Sequence, residues 1–569
     1  MSVGLLTTSV TGISTPASAA DIDEGFYVPD RPDDGYQGVT FRDVPEFTST
    51  FSWLSVNGKT CEDLNDNCLS WVSVGSIPSG EFHALLGPCV TASDRDCLES
   101  VVYVNVDGST IPGQFKRRFP ERGANDFIGD PNRRLVSGGP ASIWHFPGVA
   151  HRGGSDFFMR VGLQGRLSAD GSSLLAVDPK SLSMHGAIYA VEEIPAPCSE
   201  DGVRQFCGPR LRTFSETVVG SPLGGVLISP YVGRWSRGPS DCIMTGDQKC
   251  LQRLAAPESA EFRLSIRLRH SPSGWFHGRF RDAEFAIDPL AVDGGYRMVV
   301  GGKAVAVPVV AAGGTLASLL PKIQEVYWGT GSFKSSPSYT RDFGCIKCTD
   351  PLTRNSTSAP LPDGKDSLEE FEVWRDYLGD KSTADLFSWS FRAISVQSNH
   401  QTRQCFEADG TVKGVVAVDA MVYSSGPPAY IDGALSYTVS SPHFTSGGSV
   451  RRGSYNLIIR SDVARCVYGF SSAPLQATIA VQDSAGGPVV ATTNVSEAGG
   501  WLKLAAYNFE FSAPKIKVTL AQIAVPANRV VTPTVTSKRV ITCLKGKKRM
   551  RLRGEKARCP VGYKQQRTS

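Results

Sequence analysis

Leu475-Gln476-Ala477-Thr478-Ile479-Ala480-Val481-Gln482 sends Leu475, Ala477, Ile479 and Val481 to one side of an extended chain, and Gln476, Thr478, Ala480 and Gln482 to the other. Successive side chains of a strand point to opposite faces, so this octapeptide reads as a half-buried antiparallel strand. Asp483-Ser484-Ala485-Gly486-Gly487 follows it and reads as a hairpin loop into a strand over 489–495. In 516–523, Ile516, Val518 and Leu520 alternate with Lys517, Thr519 and Ala521 in the same way. Further strands are expected over 415–423, 434–439, 455–461 and 501–505. Seven short strands in residues 401–525 predict an immunoglobulin-like sandwich, as a class rather than a homology.

Upstream the pattern persists. Short apolar runs such as Val101-Val102-Tyr103-Val104 and Ala187-Ile188-Tyr189-Ala190-Val191 are broken by Gly, Pro, Ser and Asp. Cys89-Val90…Asp94…Cys97-Leu98 is echoed by Cys242-Ile243…Asp247…Cys250-Leu251, and an alternating run follows each, at 158–167 and 262–268. Either two related β-rich domains, 45–200 and 201–335, explain the echo, or it is a coincidence between two cysteine-bounded loops. Residues 336–400 read as a loop followed by a helical insert. Ser367 and Glu370 have capping-box spacing, Leu368, Phe371, Trp374 and Leu378 repeat helically, and Gly379 ends the run. A second short helix is expected over 383–391. The fold expectation is therefore mainly β, with several antiparallel sandwiches and a short helical insert around 367–391.

In this 569-residue chain, 41% hydrophobic and 20% charged residues exclude wholesale disorder. No apolar run reaches the ~18–20 residues of a membrane-spanning helix, whereas a transmembrane barrel would leave a weaker trace. Residues 1–20 carry no charge and end in Ala17-Ser18-Ala19-Ala20, which suits export with cleavage after Ala19. The basic start of an export signal is missing, as it would be if the true start lay upstream; the other reading is a Ser/Thr/Ala-rich disordered terminus.

The fourteen cysteines fall into neighbour pairs: Cys61–Cys68, Cys89–Cys97, Cys198–Cys207, Cys242–Cys250, Cys345–Cys348, Cys405–Cys466 and Cys543–Cys559. All but the sixth are sixteen residues apart or fewer. Short disulfide loops belong to an oxidising compartment, so the chain is expected to be secreted or envelope-associated, with nearest-neighbour pairing. Cys345-Ile346-Lys347-Cys348 is also open to a redox or zinc reading. Neither a second ligand pair nor a βαβ setting accompanies it, which favours the disulfide.

Residues 538–569 hold twelve Lys and Arg against Glu555 alone, a net +11, so at +4 overall the remainder carries −7. Lys545, Lys547, Lys548, Arg549, Arg551, Arg553, Lys556 and Arg558 are the candidate polyanion-binding residues. Lys545-Gly546-Lys547 reads as a turn, and Cys543 and Cys559 bracket the segment. A disulfide-closed hairpin would present these cations as a fixed cluster that attracts polyanions by summed field. Anionic envelope polymers and lipid headgroups are the expected partners. Nucleic acid is disfavoured, because Tyr563 alone offers a stacking ring. The plainer reading is a solubilising tail with no specific partner.

Ile541-Thr542-Cys543-Leu544-Lys545-Gly546-Lys547…Cys559-Pro560-Val561-Gly562-Tyr563-Lys564 resembles the C-terminal signature of many secreted actinobacterial proteins of unknown function. Asp462 to Ser471, continuing to Gly500-Trp501-Leu502, is similar to a module they carry, as is Gly274-Trp275-Phe276-His277-Gly278-Arg279. The resemblance implies an exported envelope protein and supplies no activity.

Chemistry is sparse. The eight histidines have no helical zinc spacing, although His145 and His151 share a Pro/Gly-rich loop and could approach each other. There is no nucleophile elbow and no nucleotide-binding glycine pattern, so no catalytic residue, metal or cofactor is named. Asp63-Leu64-Asn65-Asp66-Asn67 has Cys68 where a calcium loop needs Gly, and reads as a disulfide-closed turn. Trp275, Phe276, His277 and Arg279 form a candidate glycan-stacking platform, against the alternative that Trp275 packs into the core. The expected function is a non-catalytic surface or wall-associated protein held by its basic tail. The alternative is a secreted hydrolase of envelope polysaccharide or ester, with its site in 45–335. Ligand and oligomeric state are not legible.

Overall fold

The computed structural model describes residues 36–41, 51–69, 79–123, 125–169, 175–195, 217–218, 227–228, 242–247, 249–257, 259–291, 294–328, 340–342, 356–358, 360–363, 367–394, 403–407, 410–470, 475–483, 491–511, 515–522, 539–554 and 558–566. The fold is mainly β. One long sheet runs in the order Lys59–Cys61, Trp53–Val56, Ser79–Leu85, Asp156–Ala169, Ser183–Pro195, Ser390–Ile394, Gly274–Arg279, Val412–Val418, Arg452–Arg460, Trp501–Glu510, Thr492–Ala498. Along this path the neighbours are antiparallel except Gly274–Arg279 beside Val412–Val418, which is parallel.

A five-stranded sheet, Arg281–Pro289, Tyr296–Lys303, Glu261–Leu268, Cys97–Val104 and Thr110–Pro112, closes one core against it. Glu261–Leu268 alternates strictly, burying Phe262, Leu264, Ile266 and Leu268, which join Leu54, Val56, Phe82, Met159 and Phe276 in one cluster. Phe262 makes edge contacts with the rings of Phe146, Phe157 and Trp389. Burying each such ring contributes about 1.5–3 kcal/mol, so the seam between these sheets dominates the stability of the body.

This arrangement overrides the expected domain boundaries. The long sheet takes strands from 45–200, 201–335, 336–400 and 401–525 alike. The echo between the two cysteine loops does not mark duplicated domains either: Cys97–Val104, from the first, pairs directly with Glu261–Leu268, downstream of the second. The described chain divides into two compact units, 1–471 with 476–521, and 472–475 with 522–569.

The 401–525 strands form two layers. Ala434–Ser440, Lys515–Gln522 and Leu475–Gln482 lie in one sheet, and Arg452–Arg460 and Trp501–Glu510 in the other. Ile479, Val481, Ile516, Val518 and Leu520 are buried and Thr478, Ala480 and Thr519 exposed, as the alternation requires. The expected hairpin loop lies outside the described residues from 484 onward, and the strands on either side of it, Leu475–Gln482 and Thr492–Ala498, belong to different sheets rather than pairing. Beyond the strand expected to end at 461, residues 461–468 form the helix Ser461–Tyr468. It buries Val463, Ala464 and Val467 and ends at Gly469, whose φ of 66° is the left-handed cap.

The helix Ser367–Trp374 is present, with Phe371 and Trp374 fully buried against Val39, Phe41 and Val310. The expected helix over 383–391 is instead two strands, Ala384–Ser388 and Ser390–Ile394. Ala384, Leu386 and Ser388 face inward at period two, and the aromatic residues Phe387, Trp389 and Phe391 suit a pleated surface better than a helix.

Candidate functional site

The basic tail folds as a unit by itself. Arg539–Lys545 and Lys548–Gly554 pair antiparallel in a register that sets Lys545 opposite Lys548, so Gly546 and Lys547 form a two-residue turn. Gly546 has φ 58°, the left-handed conformation that the first position of such a turn favours in glycine. Lys564–Gln565 adds beside Cys543 and Leu544. Cys543, fully buried, bonds to Cys559, with Cα atoms 5.6 Å apart. The Nζ of Lys545 stands 5.8 Å above the ring of Tyr563.

Strand alternation then sorts the cations. Arg549 and Arg551 are opposite Leu544 and Thr542 on one face, with Arg553 continuing the backbone register opposite Val540. Lys545 and Lys548 share the other face with Met550. Lys545, Lys547, Lys548, Arg549, Arg551, Arg558 and Lys564 are all exposed. None has an acidic partner among the described residues. Lys556 and the Arg553 side chain lie outside the described residues. Cations two residues apart on a strand are about 7 Å from each other, within a Debye length at physiological salt, so their potentials add.

The second candidate is corrected. Trp275, Phe276, His277 and Arg279 lie on an interior strand of the long sheet, and each is at most 2% exposed. Trp275 packs edge-on against Phe406. The His277 ring stacks on Tyr423 at 3.8 Å, and the Arg279 guanidinium sits 4.8 Å from the centroid of the same Tyr423 ring while donating to the Val418 and Ala420 carbonyls. Burial, with Arg279 and Arg392 nearby, holds His277 well below the usual imidazole range. This is a polar interlayer between sheets. No face remains open for a sugar ring.

A histidine pair that the sequence does not announce lies further along the long sheet. His83 and His185 are buried and stack at 4.9 Å, with Nε2 atoms 3.2 Å apart. The His83 Nδ1 lies 2.7 Å from the Phe51 carbonyl. A carbonyl only accepts, so that nitrogen carries the proton, the His83 Nε2 accepts, and the His185 Nε2–H donates to it. Burial pushes the His83 imidazole down to about 4 and His185 well below its usual value, and Arg160 adds to both shifts. Gly162 makes room: a Cβ there would meet the His185 Nε2 at 2.5 Å.

His145 and His151 do converge, but on Asp156 rather than on each other. The His145 Nδ1 bonds an Asp156 carboxylate oxygen at 2.9 Å, and the His151 Nε2 bonds the Asp156 carbonyl at 2.8 Å. Lys116 binds the other carboxylate oxygen at 2.6 Å. No hydroxyl or thiol completes a nucleophilic arrangement around His145 among the described residues.

Four expected disulfides are present: Cys61–Cys68, Cys89–Cys97, Cys405–Cys466 and Cys543–Cys559. Cys198, Cys207, Cys345 and Cys348, and the side chains of Cys242 and Cys250, lie outside the described residues. Asp63 to Asn67 runs from a bend into the one-turn helix Asp66–Leu69 and is closed by Cys61–Cys68, and the Asp63 carboxylate accepts from the Asn65 N–H. No group of three metal-ligating side chains occurs among the described residues, and no helix there is long and apolar enough to cross a membrane. Comparison with protein-family models, curated proteins and solved structures finds no match to this chain.

Proposed function

We propose that this is an exported, envelope-associated, non-catalytic protein held to anionic polymers by its C-terminal hairpin. One observation carries the reading: seven exposed cations, none with an acidic partner among the described residues, are displayed on a β-hairpin and the segment that a disulfide ties back to it. A flexible basic tail must lose conformational freedom to bind, whereas a closed hairpin has already lost most of it. The remaining chain carries −7, so the net attraction to a polyanion is centred on this end. The disulfides support an oxidising, extracytoplasmic location.

The competing hydrolase reading draws on His145 and Asp156, a dyad with no nucleophile beside it among the described residues. The test is retention on isolated bacterial cell walls before and after removal of their anionic polymers. The full chain is expected to sediment with intact walls and to be released from stripped ones, and a chain lacking 538–569 to stay in solution. Equal retention of both chains would sink the hairpin's role. Retention only by anionic lipid vesicles would transfer that role to headgroups.

A further inference from the structure

The edge of the long sheet carries a second, chemically different surface. Lys59–Cys61, Trp53–Val56, Ser79–Leu85, Asp156–Ala169 and Leu175–Val177 lie side by side. Their register aligns Thr60 with Ser55, Ser55 with Glu81, and Glu81 with Arg166. Asp178 continues this row, its N–H donating to the Arg166 carbonyl at 2.9 Å. Directly opposed residues share a face, so two hydroxyls, a carboxylate, a guanidinium and a second carboxylate stand in line. Beside them Ser79 opposes Ser168, and the Asn57 side-chain oxygen accepts from the Ser79 N–H at 3.2 Å. Leu54, Val56 and Phe82 of the same strands point the other way, into the core.

All of this row except Thr60, together with Asn57, Ser79 and Ser168, lines an open cleft of about 610 Å³. Its frame is fixed. The Ser181 hydroxyl accepts from the Arg166 N–H and donates to the Asp178 carbonyl, at 2.8 and 2.7 Å, and one Asp178 carboxylate oxygen accepts from the Lys180 N–H. The functional ends are left over. Glu81 and Arg166 face each other across adjacent strands with opposite charges, yet neither closes an ion pair among the described residues. Both are exposed to the cleft.

We infer that this cleft binds a neutral, hydroxyl-rich saccharide. The charge order decides the class. Glu81 and Asp178, flanking Arg166, give the row a net negative charge that disfavours an anionic polymer, while the three groups together offer both acceptors and donors. A vicinal diol fits both, because each hydroxyl can donate to a carboxylate and accept from the guanidinium or a serine. No aromatic ring lines the cleft: Trp53, next along its strand, is stacked over His83 at 6.5 Å. A solvent-open site made of hydrogen bonds exchanges water contacts for ligand contacts at little net gain, so affinity on the order of 1 mM is expected.

The test is saturation-transfer NMR on the intact protein with cellotriose, maltotriose, mannotriose and triacetylchitotriose. Poly(glycerol phosphate) and an acetylated, amidated trialanine serve as competitors. At least one trisaccharide should receive saturation and resist displacement by both competitors. Arg166→Ala and, separately, Ser168→Trp, which fills the cleft from an exposed position, should each weaken binding at least fivefold at unchanged Tm. Loss of 538–569 should leave it unaltered, which separates this site from the hairpin. The inference is overturned if no trisaccharide binds, if Arg166→Ala binds as the parent does, or if the capped peptide displaces the sugar.

Discussion

The histidine pair shows how much a single residue can settle in this fold. His83 and His185 are 102 residues apart in the chain. No spacing rule links them, and only the register of the sheet brings them together. Their burial carries a pH consequence. In the unfolded chain a histidine takes up a proton near 6.5, whereas folded His83 resists until about 4. The unfolded state therefore binds more protons between these values, so stability is complete above pH 6.5 and declines as pH falls toward 4. Between pH 7 and pH 5 the His83 contribution should fall by about 2 kcal/mol. Urea midpoints at the two pH values will measure it as the part of the difference that His83→Asn removes, since His185, likewise depressed by burial, keeps a share of its own. Gly162→Ala should destabilise at every pH by about 1–3 kcal/mol, since the added methyl must displace one or both rings. The motif Trp275-Phe276-His277-Gly278-Arg279 teaches the complementary lesson. Aromatic and cationic side chains in sequence read as a binding platform, but the same residues serve an inter-sheet polar layer once a second sheet covers them.

At the scale of elements, legibility followed period. Strands with a polar face, such as Leu475–Gln482 and Glu261–Leu268, were readable, and so was the helix at Ser367. Ser461–Tyr468 was missed because it follows an apolar strand without a break, and its helical face is marked only by Val463, Ala464 and Val467. In the 383–391 segment the period-two spacing of Phe387, Trp389 and Phe391 is the strand signal, and it outweighs the short helix expected there. The helix at Ser461 bears one end of the Cys405–Cys466 bridge, and the other end lies on the short helix Arg403–Phe406. This bridge closes a loop with a sequence separation of 61 residues, the widest of the described disulfides. The chain-entropy account gives it about 4 kcal/mol. Replacing both cysteines by alanine should lower the guanidinium midpoint far more than replacing Cys89 and Cys97. Equal shifts would mean that local packing, rather than chain restriction, accounts for the effect.

For the whole molecule, the sequence indicates a β protein with an oppositely charged end, and stops there. Sheet order could not be read, because a strand pattern names its faces and not its neighbours. Gly274–Arg279 lies between Ser390–Ile394 and Val412–Val418, both more than 100 residues further along the chain. The tail was more legible, since its pairing is local and its turn glycine, bracketing cysteines and charge lie within one short segment. As a separate compact unit, it should leave the body's Tm unchanged when removed, which makes its deletion a clean test of binding.

The central claim, that a preformed cationic hairpin recognises polyanions by summed field, predicts a particular salt response. The decisive measurement is the affinity of the intact protein for poly(glycerol phosphate) as salt rises from about 0.05 to about 0.5 M, alongside a Lys548→Gln/Arg549→Gln/Arg551→Gln variant. Because screening shortens the range of these charges from more than 10 Å to a few ångströms over that interval, affinity should drop at least tenfold, and the variant should bind at least tenfold more weakly at low salt. Salt-independent binding, or equal binding by the variant, would contradict the account.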